Sequence, residues 1–150
     1  MATTEKMFVQ QEEFINATPA QVWDMLAGAD GIKQWLGPST YEPRVGGPIT
    51  FDVSHDGGKY HMFGQVVTFD PPHTLAFTWT EQEIGKDAWP VATLVTLTLN
   101  AENDGTRVRL VHSGFEHLPS EIAQAQFESY TQGWAVRPVL EGLKSLIESK

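Results

Sequence analysis

The sequence predicts an α+β fold in which a curved antiparallel sheet of about six to seven strands wraps around one long C-terminal helix. Three observations carry this. A capped helix start follows directly on a first strand, period-two hydrophobicity fills the middle of the chain, and helical periodicity returns after His117. A length of 150 residues fits a single domain over 1–150, long enough to bury roughly 68–70% of the surface its unfolded form exposes.

The first apolar run, Met7 to Ile15, reads as a strand that stops at Asn16. Thr18-Pro19-Ala20-Gln21 then opens a helix as a capping box with proline in its first turn. Val22, Trp23, Met25 and Leu26 fall at helical spacing. Gly28 breaks the run, Asp30 is expected to cap a second short helix reaching Trp35 and Leu36, and Gly37-Pro38 closes it.

From Tyr41 to Ser113 the period is two. Ile49, Phe51 and Val53 alternate with polar neighbours, as do Leu75, Phe77 and Trp79, then Val95, Leu97 and Leu99, then Val108, Leu110 and His112. Such strands bury one face and wet the other. Asp56-Gly57-Gly58, Asp70-Pro71-Pro72 and Asn103-Asp104-Gly105 punctuate them as turns, so the strands form a meander of hairpins.

Beyond His117, Ser120 is expected as the N-cap of a helix with Glu121 in its first turn. Ile122, Phe127, Tyr130, Trp134, Leu140, Leu143 and Ile147 form its apolar stripe. About 30 residues of helix would span roughly 45 Å, enough to cross a sheet. Pro138 inside it would leave the Trp134 carbonyl without its helical partner, so a kink is expected there.

Composition narrows the function. A formal charge of −9, from 19 acids against 10 bases with no basic cluster, would repel nucleic acid and anionic membrane. Absence of cysteine excludes disulfides and thiolate metal sites. The start of the chain shows no basic, apolar export signal, so the cytoplasm is the expected compartment and the Asn16-Ala17-Thr18 sequon would go unused.

The motifs Asn16-Ala17-Thr18-Pro19 with Val22-Trp23, Trp35-Leu36-Gly37-Pro38, Arg44-Val45-Gly46-Gly47, Pro71 to Trp79, His112-Ser113-Gly114-Phe115 and Gly133-Trp134 stand in a specific order. Together with the order of elements, strand, two short helices, six-stranded meander and terminal helix, they resemble the START-like (helix-grip) superfamily. The branch they resemble is named for the C-terminal domain of the activator of the heat-shock protein 90 ATPase. The resemblance covers nearly the whole chain. It implies a cavity between sheet and terminal helix that in related members holds lipids, sterols, hormones or polyketides, and in a few hosts cyclisation or hydration. It implies no shared catalytic triad and no cofactor, and its name points to a chaperone partner and a stress response.

The candidate ligand-binding positions are the ring-rich inner residues Trp35, Phe51, Phe77, Trp79, Phe127, Tyr130 and Trp134, with His112 beside Val108 and Leu110. His112 and Ser113 are strand neighbours, so their side chains point to opposite faces and cannot form a nucleophile and base pair. The histidines His55, His61, His73, His112 and His117 lack the helical pair spacing of zinc enzymes, and no metal is expected. Glu81, Glu83 and Asp87 read as a solvated acidic loop around Gly85, or as a lid anchored by Trp89.

The first strand is ambiguous: Phe8, Gln10, Glu12 and Phe14 share one face, Val9, Gln11, Glu13 and Ile15 the other. Either face brings polar groups inward unless this is an exposed edge strand, where charges are common. Three functions follow as expectations: a binder of an apolar or aromatic small molecule, a co-chaperone-like interaction module steered by its acidic surface, or an enzyme pairing His112 with an inward acid of the first strand. Monomer and homodimer are both open.

Overall fold

The computed structural model describes residues 7–149; the reading of the chain's start as free of an export signal rests largely on residues outside these. The order is β1 (Phe8–Ile15), α1 (Pro19–Ala27), α2 (Ala29–Trp35), β2 (Thr40–Tyr41), β3 (Pro48–His55), β4 (Gly58–Asp70), β5 (Thr74–Glu83), β6 (Thr93–Glu102), β7 (Gly105–Ser113), α3 (Ser120–Val136) and α4 (Val139–Glu148). The seven strands form one antiparallel sheet in the order β1-β7-β6-β5-β4-β3-β2. This is the α+β helix-grip architecture: β2 to β7 run as a meander, and β1 closes onto β7 at the far edge.

Local chemistry explains the joints. Thr18 caps α1 through a full capping box, its hydroxyl accepting from the Gln21 backbone while the Gln21 side chain accepts from the Thr18 N–H. Hairpins β3–β4 and β6–β7 turn over two residues each, Asp56-Gly57 and Asn103-Asp104, all four at positive φ, the geometry that matches strand twist. Two expected caps are corrected. Gly28, not Asp30, is the cap of α2, with Asp30 inside the first turn, and Ser120 is the first helical residue of α3 behind Pro119. Neither cap residue supplies a side-chain bond.

The single kinked helix expected at the C-terminus is two helices. Arg137 (φ −114°, ψ 85°) and Pro138 (φ −76°, ψ 77°) both leave helical geometry, so the chain breaks over two residues rather than bending at one. α3 then runs over the 3-10 turn Phe115–His117 and the end of β1, while α4 packs on β1, α1 and α2. Leu140 and Leu143 of α4 are sealed in the core; of the 17 residues of α3 only Ala123 and Trp134 are buried.

The register also settles β1. It is an edge strand whose inner face carries Val9, Gln11, Glu13 and Ile15, opposite His112, Leu110, Val108 and Thr106. Each inward polar group has a partner. Gln11 Nε2 donates to the Trp134 carbonyl at 2.7 Å, taking the place of the N–H that Pro138 lacks, and Lys144 of α4 lies 3.8 Å from Glu13 while donating to the Phe14 carbonyl at 2.6 Å. Gln11→Ala is expected to cost about 1 kcal/mol by orphaning that carbonyl, whereas Gln10→Ala on the outer face should cost a few tenths at most. Urea denaturation of the two variants measures the difference; equal losses would remove Gln11 as the surrogate helix donor.

Candidate functional site

The inner face of β5, β6 and β7 presents Phe77 and Trp79, Thr93 and Val95, and Leu110 and His112, because alternation places these residues on one side. α3 lays Phe127, Tyr130 and Trp134 over them, the 3-10 turn adds Phe115, and the loop after β5 inserts Trp89. The rings meet at recognised packing distances. Trp79 lies 4.9 Å from Phe51, 5.9 Å from Tyr130 and 6.2 Å from Trp134, and His112 lies 4.6 Å from Phe115 and 5.1 Å from Tyr130 between centroids.

Two hydrogen-bond chains run through this cluster. In the first, Trp134 Nε1 donates to His112 Nδ1 (3.1 Å), His112 Nε2 meets Thr93 Oγ1 (2.7 Å), and Thr93 Oγ1 donates to the Trp79 carbonyl (2.8 Å). An indole N–H can only donate, so Nδ1 must be bare; Thr93 spends its proton on the carbonyl, so Nε2 must carry the hydrogen. The imidazole is therefore neutral in one tautomer, and burial at 0% exposure lowers its pKa to about 3. In the second, Trp79 Nε1 donates to the Tyr130 hydroxyl (2.8 Å), which donates to Glu81 Oε1 (2.6 Å). Burial raises the Glu81 pKa and holds that of Tyr130 well above its usual value.

The structure thus brings together Phe51, Phe77, Trp79, His112, Phe127, Tyr130 and Trp134 of the positions read from sequence, Phe127 through its 5.8 Å contact with Phe115. Trp35 is buried elsewhere, where its indole donates to the Leu26 carbonyl at the α1–α2 end of the core. Thr93, Phe115 and Glu81 are members the periodicity did not single out. Glu81 and Glu83 belong to β5 rather than to an acidic loop; the parity of Trp79 places Glu81 on the inner face, which was the available signal. Trp89 is buried against Phe115 and Tyr130, the position expected of a loop anchor.

The pairing of His112 with an inward acid of the first strand is corrected. His112 stands opposite Val9 and Glu13 opposite Val108, four residues along the strand. That is roughly 13 Å, too far for proton transfer through one water. Both nitrogens of His112 are also engaged. Among the described residues no group of three or more His, Cys, Asp or Glu is placed to hold a metal. A concavity of about 300 Å³ lies on the outer face at the β1–β7 edge, lined by Phe8, Gln10, Arg109 and Val111, and one of about 380 Å³ lies beside the β6–β7 hairpin and Thr18. Neither enters the space between sheet and α3.

The sequence profile of the family described as activator of Hsp90 ATPase homolog 1-like protein matches residues 16–148. The chain belongs to this family. The match takes in every residue of the aromatic cluster and leaves out β1, the strand that supplies Gln11. Solved structures agree on the fold. Protein MLL2253 from Mesorhizobium loti is 25% identical with a TM-score of 0.72, over 95% of this chain and 98% of that one. Protein Mll3558 from Rhizobium loti is 19% identical with a TM-score of 0.73, over 96% and 99%. A structure described as the Aha1 dimer from Colwellia psychrerythraea is 24% identical with a TM-score of 0.63, over 94% and 96%. No protein of curated function matches the chain. Among the described residues of this family member, no helix is long and apolar enough to cross a membrane.

Proposed function

We propose that this chain binds an apolar, ring-bearing small molecule between the sheet and α3, in a site that α3 covers when empty. One observation carries the reading: α3 roofs a cluster of aromatic rings while burying only two of its own residues. Ala123 and Trp134 are its sealed residues, while Ile122, Phe127 and Tyr130 stay half-buried, so much of its apolar surface is only partly removed from water. Side-chain hydrogen bonds from Gln11, Trp134 and Tyr130 add to this packing in holding the helix down. The break at Arg137 and Pro138 lets α3 lift without disturbing α4. The uncovered surface is aromatic, with few polar groups, which is the chemistry of a site for an apolar ligand.

Native mass spectrometry of freshly purified protein is expected to show a reproducible bound mass. A panel of lipids, hormones and aromatic compounds should contain one that raises the melting temperature, since a ligand at a hundred times its Kd stabilises by about 2.7 kcal/mol. A clean apo mass with no shift across the panel overturns the proposal. The family description supports a second reading, contact with a heat-shock chaperone, to which the acidic charge would add salt sensitivity. The same spectra recorded after capture from lysate at low ionic strength decide it, and absence of a chaperone removes it.

A further inference from the structure

We infer that the site selects for cationic or hydrogen-donating aromatic ligands, with Glu81 as the group that reads their head. The inference rests on the proposed apolar site and names its ligand class. Glu81 occupies the last part of β5 on the inner face, opposite Met62 of β4, and is only half-buried, so it faces both solvent and the ring cluster. Its Oε1 accepts a hydrogen bond from the Tyr130 hydroxyl, and the backbone N–H of Trp89 donates to its carbonyl, which sets the Trp89 ring 5.6 Å from Tyr130. The carboxylate is therefore joined through the Tyr130 hydroxyl to the Trp79 indole, with the Trp89 ring packed on Tyr130 beside it.

No Lys, Arg or His among the described residues lies within ion-pair distance of this carboxylate. Lys86, the cation of the adjoining loop, pairs instead with Glu83 at 3.1 Å. The second carboxylate, Glu83, lies two residues along the same strand and adds repulsion at this end. An anionic ligand head entering here meets Glu81, Glu83 and a chain of net charge −9. An ammonium head finds the opposite: a half-desolvated carboxylate without a counter-ion among the described residues, and a cluster of rings whose faces attract cations. A neutral donor gains a charge-assisted hydrogen bond alone.

Calorimetric titration with naphthylethylamine, naphthylethanol and naphthylacetate, matched in ring and chain, tests this near neutral pH. The amine is expected to bind about tenfold more tightly than the alcohol and the acetate more weakly than either. Glu81→Gln should bring the amine-to-alcohol ratio close to one, and circular dichroism verifies that the variant folds. Equal affinities in the wild-type protein, or tightest binding of the acetate, overturn charge selection and leave the apolar site standing. Retention of the amine's advantage in Glu81→Gln overturns the assignment to Glu81. Binding of none of the three overturns this inference alone, since the native mass spectrum of the purified protein judges the apolar site without these probes.

Discussion

Acidification from pH 7 is expected to cost this protein about 2 kcal/mol of stability by pH 5 and about 4 kcal/mol by pH 3, through His112. The imidazole has a pKa of 6.5 in the unfolded chain and about 3 in the folded one, lowered by burial. The unfolded state therefore takes up a proton that the native state refuses. Stability is fully present above pH 6.5 and is lost as the pH falls towards 3. The geometry reinforces the sign, because a proton on Nδ1 would face the Trp134 indole N–H, donor against donor. Glu81 acts the other way: its raised pKa means the native state takes a proton first, above the ordinary carboxylate range, which offsets part of the loss. Asp52, Glu102 and Glu148 have lowered pKa values, so they lose stability in the same direction as His112, but below the ordinary carboxylate range. Between pH 6.5 and 5 the three lowered carboxyls are silent, so the loss there belongs to the histidine, with Glu81 able only to reduce it. Urea denaturation at both ends should show the loss in the wild-type protein and no loss in His112→Gln, whatever that variant's absolute stability. A flat wild-type response would remove the neutral buried imidazole from the site.

The strands and the ring cluster were legible because one short-range rule, alternation, decides them. Once Phe77 and Trp79 share a face, so do Val95 and Leu97, or Leu110 and His112, and the core follows. The polar half of the site was not legible, because it depends on register between distant strands. Nothing local to Thr93 announces that its hydroxyl will meet His112 from the neighbouring strand, and nothing local to Glu81 announces Tyr130, 49 residues away. The first strand was ambiguous for the same reason. Its inward glutamine made sense only once the Trp134 carbonyl, 123 residues on, was known to lie beside it. Pro138 did announce an interruption, but whether a helix bends or breaks is decided by tertiary partners. Here Gln11 satisfies the freed carbonyl, and Arg137 leaves helical geometry as well. The caps failed differently: Asp30 and Ser120 have the right chemistry, yet Gly28 and Pro119 each take the extended turn one or two residues earlier.

Trp134→Ala is expected to lower stability by about 3–5 kcal/mol, towards the upper end of that range. Trp134 is 7% exposed, its ring lies 6.2 Å from Trp79 and 6.0 Å from His112, and its N–H is the donor to His112 Nδ1. The substitution therefore opens a void among rings and orphans a buried acceptor at once. Trp134→Phe separates the two effects, since it refills most of the void and still leaves Nδ1 unpaired, at about 1–3 kcal/mol. A side chain lining a space already open would give a different result, a stability loss well below the range, because its neighbours would lose few contacts. The void also has a signature. Added indole should raise the melting temperature of Trp134→Ala and leave the wild-type protein unchanged, as a dry apolar cavity binds the group it lost. Affinity for a ligand of the proposed site then distinguishes how α3 moves. If α3 carries Trp134 away from the ligand as it lifts, the variant binds no worse per folded molecule. If Trp134 turns onto the ligand, affinity falls by about 1–3 kcal/mol from the lost aromatic contact. Chemical denaturation with and without indole, and calorimetry on the folded variant, measure all three. A stability loss under about 1 kcal/mol without indole rescue would show that sheet and helix enclose an open space at this residue rather than the packed cluster described above.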